Sequence, residues 1–341
     1  MTLRYFHDEP IFSIAVNGQN VTSRFDDRLI SLTLRESRDD EADQLDIVLS
    51  DHDNAINLPP LDSVLELAIG YRGLGMIQKG KFNIDELQHS GAPDQLTIRA
   101  RSCPLNGAMR NRKERSFHKK TVEEIIKTIA MQNRLEAVVD KTIAKHVIEH
   151  IDQTNESDHK FLARLGKRFD AVATVKDGKL LFIKKHGAKT ADGKSMPIIS
   201  IMRNIGDRHN YSEASRDAYP GVVAEWTDLK MQEKKKVVVG EEENAKKLQQ
   251  TYSSEEDAIR AAKSEFERLK RGEIQMRFSM AYGRPELSVQ VKIIFPDMKP
   301  PINGHEFLIK TVTHKLDKGS GLTSDLELEL ESEKEEQPAD T

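Results

Sequence analysis

Cysteine is almost missing from this chain of 341 residues: Cys103 stands alone, so no intrachain disulfide can form and the fold must hold by packing. Cys103 closes a strand pattern in Arg101-Ser-Cys-Pro104 and reads as a structural cysteine, since a free thiol behaves mostly as a small hydrophobe. Tryptophan also occurs once, as Trp226 in Val222-Val-Ala-Glu-Trp226, where it reads as a core or interface anchor. No apolar run approaches membrane-spanning length, and the opening Met1-Thr-Leu-Arg-Tyr-Phe-His-Asp8 lacks the apolar core of a signal peptide. Nor is there an excess of one charge. The 52 Lys and Arg meet 56 Asp and Glu, a net charge of −4 that offers nucleic acid no global basic surface. Charged residues still make up 32%, which fits a mixed-sign surface facing water. At this length two or three domains are expected rather than one core.

What the chain does have is alternation. Phe12, Ile14 and Val16 lead into Asn17-Gly18, a strong hairpin signal, and similar sets follow at Ile30–Leu34, Leu45–Leu49, Leu65–Ile69, Phe82–Ile84 and Leu96–Ile98. Residues 1–102 therefore read as a meander of roughly six strands, closed or nearly closed into a barrel. From 103 to 200 the pattern becomes α/β. Thr121 and Glu124 spell a capping box before Val122, Ile125, Ile126 and Ile129, and a second helix starts near Ser157 with Phe161, Leu162, Leu165 and Phe169 as its stripe. Gly166 weakens that helix a little, and Asp177-Gly178 marks a hairpin after it.

Residues 201–331 return to β. The charge-dense stretch Met231–Lys247 reads as a long loop or protruding hairpin. Ser253 and Glu256 spell another capping box, ahead of a helix with Ile259, Ala262, Phe266 and Leu269 on one face and Gly272 as its stop. Strands are expected at Ile274–Met280, Leu287–Ile293 and Leu326–Glu331, where leucines alternate with glutamates that could meet solvent or a neighbouring subunit. The tail, 332–341, is acidic and polar and reads as disordered.

Chemistry-bearing clusters are few. Arg110, Arg112, Lys113, Arg115, Lys119 and Lys120 form the one sharp basic group, with Phe117 and His118 among them. It could bind phosphate or line a channel for DNA, but a solvated linker into the Thr121 helix is the plainer reading, because one aromatic makes a poor stacking platform. Gly70-Tyr-Arg-Gly-Leu-Gly75 has no helix directly after it and reads as a β-turn rather than a phosphate loop. His146 and His150 have the i,i+4 spacing of metal ligands without a third ligand in view, and read as surface histidines. Asp51, His52 and Asp53 precede a turn-prone stretch and decorate a loop. A catalytic carboxylate pair is defined by a separation in space that sequence does not give. No catalytic, cofactor or metal residue is expected.

The C-terminal pattern resembles the late control protein D family of contractile-tailed phages, whose relatives include baseplate hub proteins and the hub part of type VI secretion VgrG spike proteins. The motifs are Tyr252-Ser-Ser-Glu-Glu-Asp-Ala-Ile-Arg-Ala-Ala-Lys263, Leu269-Lys-Arg-Gly272, Phe307-Leu-Ile-Lys-Thr-Val-Thr-His-Lys-Leu316 and Leu326-Glu-Leu-Glu-Leu330. Upstream, Val16-Asn-Gly18, Glu41-Ala-Asp43, Gly80-Lys-Phe-Asn-Ile-Asp85 and Ile151-Asp-Gln-Thr-Asn-Glu-Ser-Asp-His-Lys-Phe161 also resemble it, so roughly 10–331 is covered.

The resemblance implies an α+β, mainly β fold with two barrel-like tube domains and an α/β insertion between them. It implies a homotrimeric ring that joins the tail tube protein to the spike protein among other baseplate proteins. It also implies a place in the virion tail, after synthesis in the host cytoplasm, with no membrane insertion by this chain and DNA at most passing through the lumen. The family has no catalytic motif to transfer. The alternatives from the residues are a tail-associated peptidoglycan hydrolase and a DNA-channel or DNA-binding module centred on Arg110–Lys120.

Overall fold

The computed structural model describes residues 9–38, 42–102, 109, 111–176, 178–185, 198–204, 206–214, 219–228 and 233–331. Cys103, Arg110 and the tail from Ser332 lie outside them.

The N-terminal alternation folds into β1 (Pro10–Val16), β2 (Gln19–Asn20), the short helix α1 (Thr22–Asp26), β3 (Leu29–Ser37), β4 (Gln44–Ser50), β5 (Val64–Tyr71), β6 (Gly75–Ser90) and β7 (Gln95–Arg101). Asn17 at φ 51° and Gly18 at φ 80° make the tight turn between Val16 and Gln19. The strands are not a sequential meander, however. β1 finds its full-length partner in β5, from Pro10↔Tyr71 to Val16↔Leu65, and β4 pairs with β7. The spatial order β3-β4-β7-β6-β5-β1 is a Greek-key arrangement. Its alternating apolar residues still share one core, in which Phe12 and Ile14 of β1 join Leu32 and Leu34 of β3.

The middle segment contains β8 (Arg112–Thr121), α2 (Val122–Gln132), β9 (Glu136–Val139), α3 (Lys141–Ala144), β10 (Val147–Ser157), α4 (Asp158–Phe169), β11 (Ala171–Lys176) and β12 (Lys179–Lys184). β8 and β10 form an antiparallel ribbon, and β11, β12 and β9 a small mixed sheet. Thr121 and Glu124 close both halves of the expected capping box, and Ser157 caps α4. Gly166 has a packing reason: a Cβ there would stand 2.6 Å from the carbonyl oxygen of Ala171.

The last segment holds β13 (Ile198–Ser200), β14 (Arg208–Glu213), β15 (Gly221–Asp228), β16 (Glu233–Gly240), β17 (Lys246–Tyr252), α5 (Glu255–Glu273), β18 (Ile274–Met280), β19 (Lys292–Ile294), β20 (Phe307–Asp317) and β21 (Gly321–Leu330). β20 pairs with β21 on one side and β3 on the other, so both β-rich regions share one thirteen-stranded sheet.

Four expectations shift here. The charge-dense stretch forms strands: β16 makes a hairpin with β15, β17 lies parallel on the other side, and Val222, Ala224 and Tyr252 pack under Ala258, Ala261 and Ala262 of α5. The cap of α5 is Ser254, whose hydroxyl accepts from the backbone N–H of Asp257, rather than Ser253. Gly272 stays inside the helix, because the chain passes straight into β18 through an extended Ile274 and needs no left-handed stop. Between Leu287 and Val291 only the two end residues are buried and the backbone turns, with Gln290 at φ 70°, and only Lys292–Ile294 is strand.

Candidate functional site

Strand alternation divides the basic cluster. On β8, Lys113 and Arg115 turn inward with Phe117, while Arg112, Glu114, Ser116 and His118 face out. The inward pair meets Asp158 at the start of α4, a residue with 0% exposure. Its carboxylate accepts from Lys113 Nζ at 2.6 Å, Arg115 Nη2 at 2.5 Å, Asn133 Nδ2 at 3.0 Å and Gln153 Nε2 at 3.1 Å. Burial alone would raise the Asp158 pKa, but these partners outweigh it and hold the group below its ordinary value. Lys120 pairs with Glu124 on the surface, and Lys119 is exposed in a left-handed backbone at φ 46°. Of the described cations, Arg112, Lys119 and Lys120 remain at the surface.

Arg112 contributes to a cleft of about 1430 Å³ between the first sheet, the middle segment and β17. Arg35, Arg101, Lys160, Arg164 and Arg168 also line it, against Asp152 and Glu156, so its wall is predominantly cationic. The β10 wall is shaped by an irregularity between Gln153 and Glu156, where Asn155 takes φ 49°. That break lets Gln153 point inward to Asp158 while Glu156 pairs with Arg164.

Behind the cleft, α4 and α5 meet through charge. Asp257, 3% exposed, accepts from Arg168 Nη2 at 2.5 Å and lies 3.3 Å from His146 Nε2, which also contacts Arg260. Burial pushes the Asp257 pKa up, yet the His146 hydrogen bond and the Arg168 charge bring it down to about 2. Two turns along, the Ser264 hydroxyl donates to the Arg168 carbonyl. At the far end Arg271, 2% exposed, binds Asp170 at 2.5 Å and reaches Glu329 of β21 at 3.4 Å, and Glu329 also accepts from Arg38 beyond β3. The glutamates of β21 are therefore not all solvent-facing: Glu329 is a half-buried anchor.

A second polar cluster joins the two halves of the large sheet. Across from β5, Gly80 pairs with Leu67 and Gln78 with Ala68, leaving Lys79 as the extra residue of a bulge. Its ammonium donates to Glu36 at 2.9 Å and to the Leu287 carbonyl at 3.1 Å, and lies 3.1 Å from His314 Nε2. Burial and the Lys79 charge depress the His314 pKa against the pull of Glu36. His314 Nδ1 lies 2.8 Å from the Ser324 hydroxyl. Ser324 and His314 are both 0% exposed, so this Ser–His–Glu array is sealed in the sheet and serves as a clamp.

The other sequence candidates settle individually. His146 and His150 separate: the first enters the charged seam, while the second is exposed on β10 opposite His118. Asp51 is buried and holds its loop, accepting from the Ile56 N–H and pairing with His89, while Asp53 forms a two-point pair with Arg28. The glycines at 70–75 form the β5–β6 turn, with Leu74 N–H donating to the Tyr71 carbonyl. The anchors Asp158, Arg271, Glu329 and Lys79 were not visible as sites. The one sequence signal available was a charged residue at an inward position of an otherwise apolar stripe. Among the described residues no group of three His, Cys, Asp or Glu is placed to hold a metal.

Comparison with known proteins places these features in a family. Residues 44–320 match the family model described as phage tail baseplate hub (GPD). The chain is 39% identical to a probable baseplate hub protein of Escherichia phage 186, over 94% of this chain and 93% of the relative. Among solved structures, a tail protein from Neisseria meningitidis MC58 shares the fold at a TM-score of 0.71 and 13% identity, covering 94% of this chain and 96% of that one. An E. coli type VI secretion component described as similar to T4 bacteriophage tail proteins gives a TM-score of 0.55 at 14% identity, over 90% of this chain and 74% of that one.

Proposed function

We propose, from the premise that this chain belongs to the phage tail baseplate hub (GPD) family, that three copies close into a ring joining the tail tube to the central spike. Two barrel-like units, 1–102 and 201–331, form the tube wall, and 103–200 is inserted between them. The reading rests on the relatives' common occurrence in tail baseplates and on the edges of the large sheet. The observation that carries it is the outer edge of β6 over residues 75–80, which no strand covers among the described residues. Residues 75–82 pair with β5, but pairing with β7 begins only at Asn83. Leu74, Met76 and Ile77 are exposed there, at 71%, 45% and 43%. At the end of the sheet far from β1 and β2, β14 pairs with β18, and among the described residues no strand covers its outer side.

A long strand edge with apolar side chains is an aggregation hazard unless a partner covers it. In a head-to-tail ring the β14 edge of one copy meets the β6 edge of the next, which satisfies both sets of backbone groups and closes without a free end. An obligate interface of this kind should bury about 2,000 Å² or more per pair. The spike protein and the tube protein occupy the two faces of the ring.

Light scattering after size exclusion, on the chain alone and with its neighbouring spike protein, tests this. A mass of three chains, in either condition, supports the ring. A monomer under both conditions, at high concentration, contradicts it.

A further inference from the structure

His118 and His150 are direct partners across the β8–β10 ribbon, on its exposed face. Their Nδ1 atoms lie 3.0 Å apart and their rings face each other at 26°, with centroids 4.5 Å apart. The other nitrogen of His150, Nε2, lies 2.9 Å from Asp152 Oδ2, and the Ser116 hydroxyl donates to Asp152 Oδ1. These partners fix the proton. His150 donates Nε2–H to the carboxylate, so its Nδ1 carries the lone pair, and His118 donates Nδ1–H to it.

We propose that His118 and His150 form a two-ligand surface site for a divalent borderline metal ion of the zinc, nickel or copper class. Two nitrogens at about 2.0–2.1 Å from a shared ion stand roughly 3.0–3.4 Å apart, close to the separation present. Imidazole nitrogen suits these ions, and water completes the coordination. An imidazole ligand whose second nitrogen donates to a carboxylate is the usual outer support of a metal site, and Asp152, itself fixed by Ser116, supplies it. Binding requires His118 to move its proton from Nδ1 to Nε2, a change of tautomer without net loss of charge. It also requires a turn about χ2 so that both lone pairs converge, and that torsion is soft for histidine. Asp152 acts here as a positioning residue and does not touch the ion.

The i,i+4 spacing in sequence fell on a different pair, His146 with His150, which read as surface histidines. The structure removes His146 into the Asp257 seam and supplies His118 from the neighbouring strand. An ion bound there would staple the two strands of the ribbon beside the basic cleft, whose wall includes His150 and Asp152.

The test is titration of the untagged full-length chain with zinc chloride by calorimetry, alongside H118A, H150A, D152N and the double variant H118A/H150A. All four are surface changes, and circular dichroism checks that each folds. One zinc equivalent present in the parent and missing from H118A, H150A and the double variant is the expected result. D152N should bind about 10–100-fold more weakly, with the same stoichiometry. The thermal midpoint should rise with zinc in the parent and not in the double variant. A parent isotherm matching that of the double variant, or full binding retained in either single histidine variant, overturns the proposal.

Discussion

Along β21, Leu326 stands between Phe278 and Val312 on the flanking strands, and Leu328 between Met276 and Ile309. One residue further, Glu329 turns into a cluster with Arg38 and Arg271. The same strand thus serves two kinds of cohesion. The sheet is held by apolar side chains in register, which tolerate approximate shape and ignore salt. The α4–α5 seam is held by buried charges whose attraction roughly offsets the cost of removing them from water, so it adds little net stability but penalises any missing partner heavily. The labour is divided between them. The sheet joins the two β-rich regions, and the seam fixes how the middle segment sits against it.

The comparison breaks most sharply at Arg271. Replacing it with alanine removes the cation that buried Asp170 shares with half-buried Glu329, which keeps Arg38, and should cost about 3–5 kcal/mol in urea unfolding. Leu328→Ala, in the apolar register next door, should cost about 2–5 kcal/mol by leaving a cavity, with no dependence on salt. A loss for Arg271→Ala no greater than that of a surface arginine would erase the distinction.

Acid titration sharpens the contrast at the other end of the seam. The Asp257 pKa is lowered from 3.8 to about 2 on folding, so its contribution is fully present above about 3.8 and is lost as pH falls through 2. The difference in unfolding free energy between the parent and Asp257→Asn should shrink by roughly 2 kcal/mol across that window. A difference that stays constant down to pH 2 would mean that the carboxylate is not held by His146 and Arg168. The smallest effect separates two adjacent serines. Ser254→Ala should cost about 1 kcal/mol as the lost cap of α5, and Ser253→Ala only a few tenths.

Much of the sheet was legible in the residues. Leu45, Ile47 and Leu49 alternate because β4 has one face on the core, and the Thr121 box is capped as its letters imply. The shift from Ser253 to Ser254 has a cause that sequence hides: Asp257 must face Arg168 and His146, and that sets the start of the helix. Likewise, of the apolar face expected from Ile259, Ala262, Phe266 and Leu269, the last three do pack on the β15 sheet, but Asp257, Ser264 and Arg271 recur every seven residues on a second, buried polar face. Their partners lie far along the chain, His146 at 111 residues from Asp257 and Asp170 at 101 from Arg271, and local periodicity carries no information at that range. The pairing of β1 with β5, and the inward turn of Lys79 at a bulge, belong to the same class.

Hydrogen exchange read strand by strand, on the chain alone and in complex with the spike protein, tests the ring most directly. If copies pair edge to edge, residues 75–82 of β6 and 208–213 of β14 gain protection together in the complex, while β20 and β21 exchange slowly in both states. Unchanged exchange at both edges in a complex shown to contain three chains would contradict the account.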